Sequence, residues 1–591
     1  MLLQKIEEIG RAAVQAVFEV EIDRISIDFT DKFGDLAVNC FHLAKALRQA
    51  PPKIAAALAS HLVDGEVIKE AEATSGYVNL VLTDRALFEG ALLPCLENPD
   101  LFGGQVVTED ADSAMVEFSS PNTNKPQHLG HVRNNCLGDS IARILTATGI
   151  RVARANLVND RGIHICKSML AYEREGQGTT PDSESIKGDH FVGKYYVLFE
   201  TRFQEEKKAY EADKGQEITK EDFFKLSSWG QAAQEMLQKW ESGDGEVIAL
   251  WKLMNSWVLA GFKETYANLG IEFDQFYFES ETYKEGKEIV NRGLESGVFY
   301  RRDDGAVEID LAAEKLDKKV VLRSDGTSVY ITQDLGTTVR KAEGLKMNRQ
   351  VFVVGDEQIY HFKVLFSILD KLGYGWASSL YHLAYGMVNL PEGKMKSREG
   401  KVVDADDLMT EVAELAAKEI NERGGAKDVD IEHRANKIGM AALKFMILSV
   451  APKTTMTYDP KASVQFDGDT GPYVLYAFAR IRRMIEDSGI DEGQMKFDAE
   501  LLQDASERRL ALKLLQFPRV VARAANDYNP SLVATFLLQL AHAYHSHNRA
   551  VKILKAEDPA VRQARLALSL TTSHTLKRGL GLLGIETVDR M

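Results

Sequence analysis

The sequence predicts an α/β protein in three parts: an α+β N-terminal domain, a parallel sheet flanked by helices and split by an insertion, and an all-α C-terminal bundle. Three observations lead to it. From about residue 113 to 410, short apolar runs (115–118, 152–157, 320–322, 351–354, 380–384) alternate with helical patterns, the rhythm of a parallel sheet with crossover helices. Residues 167–299 break that rhythm with charged helical runs such as 205–214 and a long amphipathic run over 231–269. After about Asp404 strand signals stop, and 406–421, 434–449, 472–487, 505–527, 530–554 and 559–583 read as helices, near ~20 residues each and suited to a bundle.

The first part covers residues 1–108. Helical patterns over 2–18, 39–49 and 51–62 surround strand-like pieces at 25–28 and 77–82, and the turn-rich 98–104 reads as the exit. Residues 109–410 then form the Rossmann-like domain, with its insertion at about 167–299, and 411–591 form the helical domain. A chain of 591 residues exceeds the ~250–300 at which a single core stops growing.

Composition excludes several classes. Apolar content of 45% and charged content of 27% are those of a globular protein. The first helix mixes Lys5, Glu7, Glu8 and Arg11 with apolar residues, unlike a signal peptide. The longest apolar stretch, 439–451, contains Lys444 and falls short of the ~20 residues that span a bilayer, so a cytoplasmic protein with no membrane partner is expected. Cys40, Cys95, Cys136 and Cys166 are scattered, without metal-ligand spacing. His542, His545 and His547 lack a completing cysteine or carboxylate, so no metal site is expected. A net charge of −15 argues against a bulk nucleic-acid binder. Residues 471–591, however, hold 17 Lys and Arg against 13 Asp and Glu, and this local excess of cations permits RNA contact.

Two motifs carry chemistry. The first runs from Ser119 to His131 and ends His128-Leu129-Gly130-His131, between the strand-like 115–118 and the helix-like 132–148. A helix start offers free N–H groups and a positive dipole end to phosphate. Gly130 lets a flat base approach the backbone, while His128 and His131 can donate hydrogen bonds to phosphate oxygens. The second, Gly393-Lys394-Met395-Lys396-Ser397-Arg398-Glu399-Gly400, places three cations within five positions after the last strand of the sheet. Such a loop suits a polyphosphate whose charge builds during displacement.

These motifs resemble the signatures of class I aminoacyl-tRNA synthetases, and the chain is similar, nearly end to end, to the arginyl-tRNA synthetase family. The blocks VEFSSPNTNKPQHLGHVRNNCLGDSIARIL, NLVNDRGIH, YITQDLGT, GDEQIYHFKVLF, YGMVNL and GDTGPYVLYAFARI carry the resemblance. FGDLAVN and GYVNL resemble that family's N-terminal domain; ARLALS and GLGLLGIETVDRM resemble its anticodon-binding bundle. The resemblance implies activation of L-arginine by ATP with Mg2+ to arginyl-adenylate, transfer to tRNA(Arg), a monomer, and no tightly bound cofactor.

Arginine selection can also be argued from chemistry. A guanidinium presents five donors and a fixed charge, so its pocket calls for carboxylates; Asp334 and Glu117 are the candidates. Tyr330 and Asp334 are four apart and share a helix face. Asn122 and Gln358 suit the ammonium and carboxylate ends. All five match the family's arginine site. For ATP, Gly355 and Asp356 suit the ribose, and Met387 and Val388 offer backbone to the adenine. Ser397 stands where the family pattern has its second lysine, so Lys125 joins Lys394 and Lys396 as a candidate for the phosphates. Candidate tRNA contacts are Asn79, Arg480, Tyr544, Asn548 and Met591. The rival readings are a small-molecule nucleotidyltransferase, a class I synthetase for another amino acid, and a catalytically silent RNA-binding paralogue.

Overall fold

In the computed structural model five short strands make the central sheet: β1 (Ser113–Glu117), β2 (Arg151–Val158), β3 (Gln275–Phe278), β4 (Arg349–Gly355) and β5 (Leu380–Tyr385). The structure describes residues 2–30, 33–391, 393–394, 403–423, 430–495 and 497–591. The strand order is β5-β4-β1-β2-β3 and every pairing is parallel. Every residue of β1 is buried, as a strand covered by helices on both faces requires. From β1 the chain winds outward to β2 and β3, then returns to place β4 on the other side. That reversal opens a crevice at the carboxyl ends of β1 and β4, where open α/β sheets bind ligands.

Three helices frame the crevice: α1 (Leu129–Ala147), α2 (Tyr330–Leu345) and α3 (Ile359–Lys371). Arg133 on α1 is fully buried. Its guanidinium donates to the carbonyls of Met387 (3.2 Å), Pro452 (3.0 Å) and Thr454 (2.7 Å). One cation thereby ties α1 to the chain after β5 and to 452–454 through charge-assisted bonds.

The structure redraws three expected elements. Residues 275–278 were expected inside the insertion but form the edge strand β3 of the sheet. The inserted helices end earlier, at Gly245–Asn268. The run over 231–269 is two helices, Ser228–Ser242 and Gly245–Asn268; Gly243 stops the first at φ 80°, and Asp244 caps the second by accepting from Glu246 and Val247 N–H. Residues 320–322 belong to a separate antiparallel ribbon, where Lys319–Leu322 pairs with Val307–Ile309. The insertion has its own aromatic core, including Phe191, Phe199, Phe203, Phe223 and Phe262.

Residues 107–416 and 446–463 make up this compact unit; residues 1–106, 417–445 and 464–591 make up a second. The second holds an antiparallel sheet in the order Ile27–Phe29, Leu36–Asn39, Tyr77–Leu82, Ile68–Thr74. Its helices include Gly471–Ser488, Ala505–Asn526, Ser531–Ala550 and Pro559–Leu582. Arg508 joins its two parts by donating to Asp35 and, at 2.6 Å, to Asp84. Arg519 does the same with Glu7 at 3.0 Å. Among the described residues no helix is long and apolar enough to cross a membrane.

Candidate active site

After β1 the backbone turns sharply, with Ser119 at φ 78° and Ser120 at φ 47°. Left-handed conformations at two consecutive non-glycine residues store strain of the kind found at functional sites. Asn134 accepts from Ser119 N–H, and Asn156 accepts from Ser120 N–H at 3.2 Å. The turn delivers the chain to His128, the N-cap of α1.

The two histidines cap that helix reciprocally. His128 Nδ1 accepts from Gly130 N–H, and His131 Nδ1 accepts from His128 N–H, both at 3.1 Å. Their rings lie 4.0 Å apart, centroid to centroid. Because both Nδ1 atoms accept, a neutral ring carries its proton on Nε2. Burial, with Lys125 adding positive charge, pushes His128 down to about 4. Burial first, then His128 and Lys125, holds His131 well below its ordinary value. At neutral pH both are therefore uncharged Nε2–H donors, and positive charge in this wall comes from Lys125, itself lowered by burial. Lys394 lies in the strand Gly393–Lys394, whose backbone pairs with Val388–Leu390. Lys396 and Ser397 lie outside the described residues.

Residues proposed for arginine divide into two groups. Asp334 sits on the first turns of α2, and its Oδ2 is 2.6 Å from His361 Nε2. Tyr330 opens the same helix and is 82% exposed. Gln358 ends the turn Asp356–Gln358 after β4, and Asn122, exposed, bridges to Asn159. Glu117 differs from expectation. It is buried, and its carboxylate accepts from the equally buried Lys341 ammonium. Its charge is matched inside the core, so it is not a free guanidinium partner.

Glu279 is the carboxylate that sequence reasoning missed. It follows β3 and starts the short helix Glu279–Thr282. Burial, together with the nearby charges of Asp160 and Asp334 and against that of Arg161, pushes it up to about 7. The Gln333 amide, oriented by its partners, donates to Glu279 Oε1 (3.0 Å) and accepts from Arg161 Nη1 (3.1 Å). Arg161 lies over the Tyr283 ring at 4.0 Å. Neighbouring carboxylates disfavour a second negative charge, and Arg161 beside them offsets part of that cost. His361 was also missed; its spacing of three from Gln358 on a helix start was the available signal.

Gly355 ends β4, buried, with Asp356 next to it. Met387 is exposed but its carbonyl already accepts from Arg133 and from Met456 N–H (3.0 Å). Val388 is buried in its strand. The cluster Asp189, His190, Asp406 has metal-ligand proximity. The Lys187 ammonium, however, bonds both carboxylates at 3.2 and 2.6 Å and already supplies the cation there.

In the second unit a cavity of about 770 Å³ is lined by five arginines, Arg480 among them, with Phe466, Tyr476 and Met591. The exposed Tyr476 ring and the guanidinium groups suit unstacked bases and phosphates. Tyr544 corrects the expectation of a tRNA contact: it is fully buried, and burial pushes its phenol well above the ordinary tyrosine range. Asn548 is half-buried on the same helix, and Asn79 is half-buried in its strand.

Comparison with known proteins matches this architecture. Residues 96–459 match the family model for the catalytic domain of class I (R) tRNA synthetases, residues 474–591 that for the DALR anticodon binding domain, and residues 4–82 that for the arginyl tRNA synthetase N-terminal domain. The chain is 43% identical to an arginine–tRNA ligase of Porphyromonas gingivalis, with both chains fully covered. It is 44% identical to that of Treponema denticola, over 95% of this chain and 93% of the relative. Among solved structures, the arginyl-tRNA synthetase of Thermus thermophilus superposes with a TM-score of 0.83 at 27% identity, covering 100% of both chains.

Proposed function

The chain belongs to the class I arginyl-tRNA synthetases, and from that premise we propose that it activates L-arginine with Mg·ATP and transfers it to the 3′ end of tRNA(Arg). In the first step an arginine carboxylate oxygen attacks the α-phosphorus, the bond to the bridging oxygen breaks, and pyrophosphate leaves with Mg2+. In the second, a hydroxyl of the terminal ribose attacks the activated carbonyl and AMP leaves.

The residues divide as follows. His128 and His131 donate from Nε2–H to phosphate oxygens as negative charge gathers there, and Lys125, Lys394 and Lys396 offset that charge. Gly130 leaves room for adenine, Gly355 and Asp356 hold the ribose, and backbone at Met387 and Val388 borders the base. Asp334 and Glu279 take the guanidinium, with Tyr330 against its aliphatic chain. Asn122 and Gln358 take the α-amino and carboxylate ends. Arg480 and Met591, in the arginine-lined cavity, take the anticodon; Asn548 and Asn79 touch other parts of the tRNA. The single chain works as a monomer.

The observation that carries the reading is the neutral histidine cap at the start of α1, after β1, together with Glu279, a carboxylate whose proton affinity is raised by burial and by the nearby charges of Asp160 and Asp334. No nucleophile–base pair is needed, because positioning and electrostatics suffice for this displacement. Pyrophosphate exchange into ATP tests it, run with arginine, with and without tRNA. Arginine-dependent exchange is expected; its absence even with tRNA present would overturn the assignment.

A further inference from the structure

Lys187, His190 and Asp406 meet at a point that the reading above leaves unused. Asp406 lies in the first turn of the helix Ala405–Glu422, directly after a segment clamped onto the first motif. Leu129 N–H donates to Val403 carbonyl at 3.1 Å and Ala405 N–H donates to Gln127 carbonyl at 2.9 Å. His128 is thus held between two backbone bonds from the chain that follows the second motif.

The inserted helix Gly188–Lys214 grips Asp406 from the side. Lys187 Nζ donates to Asp406 Oδ2 at 2.6 Å and to Thr265 Oγ1 at 2.6 Å, and lies 3.2 Å from Asp189 Oδ2. Thr265 donates to Asp406 Oδ1 at 3.1 Å, and His190 Nε2 lies 2.9 Å from Asp406 Oδ2 and 3.5 Å from Asp404 Oδ1. The same helix packs on the first motif: a Cβ at Gly193 would stand 2.8 Å from Pro126 Cδ and 3.5 Å from Lys125 Cα. At Gly261 a Cβ would meet Asp189 Oδ1 at 2.3 Å, so the helices that carry the cluster are in close contact.

We propose that Lys187 and His190 are positioning residues for adenylate formation: by holding Asp406 they fix residues 403–405 against 127–129, and so hold the His128 ring to its cap. The inference rests on the reading of His128 as a phosphate donor. It gives the insertion a task in catalysis, and that task depends on charge. The charged groups facing the His190 ring are Asp404 and Asp406 from the post-motif segment, and Asp189 and Lys187 from its own first turn. Three carboxylates thus meet one ammonium. A protonated His190 leaves a single negative charge in excess; a neutral one leaves two. The Asp406 hydrogen bond, ahead of Asp404 and Asp189, raises the His190 pKa. The cluster is therefore tight below that raised value and loosens above it.

Arginine-dependent pyrophosphate exchange by the full chain, with tRNA present and across pH 6 to 9, tests the proposal. Asp406→Asn should lower kcat/KM for ATP on the order of tenfold, as displacement of reacting groups does, with KM for arginine unchanged within about twofold. The wild type should show an alkaline decline of kcat/KM for ATP, and His190→Gln should flatten it. Lys187→Met should behave as Asp406→Asn, and Lys187→Arg should recover. If Asp406→Asn does not fold by circular dichroism, His190→Gln and the Lys187 pair decide. Wild-type ATP kinetics and pH profile in these variants overturn the inference. A wild type with no arginine-dependent exchange overturns the function reading itself, and the inference with it.

Discussion

Asp334 Oδ2 and His361 Nε2 are 2.6 Å apart, joining the carboxylate expected to select the substrate to the first turn of α3. The bond engages Oδ2, so on the proposed reading Oδ1 is the oxygen that would take the guanidinium. Asp334→Asn keeps that shape and removes the charge. A charge-assisted hydrogen bond is worth about 1.5–3 kcal/mol, so KM for arginine should rise on the order of ten- to a hundredfold, with KM for ATP unchanged. An unchanged arginine KM in the exchange assay would remove Asp334 from the pocket. His361→Gln, which loses only the orienting partner, should cost less than Asp334→Asn.

Glu279 predicts a pH dependence specific to arginine. Its carboxyl is raised to about 7, by burial first and by Asp160 and Asp334 in addition. A protonated Glu279 cannot pair with a guanidinium, so binding releases a proton. Affinity for arginine should therefore increase as pH rises through 7 and level off above it. Isothermal titration in buffers of different ionisation enthalpy reads the proton directly. Glu279→Gln should abolish both the proton release and the pH dependence.

The histidines predict acid lability. His128, His545 and His547 are each lowered to about 4, chiefly by burial, while in an unfolded chain they titrate near ~6.5. The unfolded state then binds more protons between those values. Their contribution to stability is fully present above 6.5 and is lost as pH falls toward 4. His190, whose pKa is raised, acts with the opposite sign and stabilises on the acid side. Since the lowered histidines outnumber it, thermal midpoints measured by calorimetry should fall between pH 6.5 and 4.5. A flat profile would mean that these rings are not buried as neutral species.

What could be read from sequence was local. His128, Gly130 and His131 announce themselves because their partners lie within three residues, and the helix that they cap follows directly. Asp334 stands out as a carboxylate suited to a guanidinium, and its spacing of four from Tyr330 puts both on one helix face. Lys341, which takes the Glu117 charge, lies 224 residues away from it, and Lys187 lies 219 from Asp406; no spacing rule reaches that far. The strand β3 was lost in the insertion because four residues with Gln275 exposed show no period. Residues 320–322 read correctly as a strand, but an apolar run does not name its partner, and theirs is Val307–Ile309.

Tyr544 and Tyr476 separate core from contact in the helical unit, where sequence could not. Tyr544 is fully buried, its hydroxyl 4.0 Å from Met484 Sδ and also in reach of Ser569. Tyr476 is 41% exposed and lines the arginine-rich cavity with Arg480. Tyr544→Phe should leave both stability and KM for tRNA nearly unchanged, whereas Tyr544→Ala should destabilise by about 3–5 kcal/mol as a core truncation. Tyr476→Ala should do the reverse. Loss of a stacked base costs about 1–3 kcal/mol, so KM for tRNA in aminoacylation should rise on the order of ten- to a hundredfold at an unchanged melting temperature. Arg480→Ala should add a weaker dependence on salt, since a phosphate contact releases counterions. A Tyr476→Ala enzyme with wild-type KM for tRNA would show that the cavity is not where the anticodon is read.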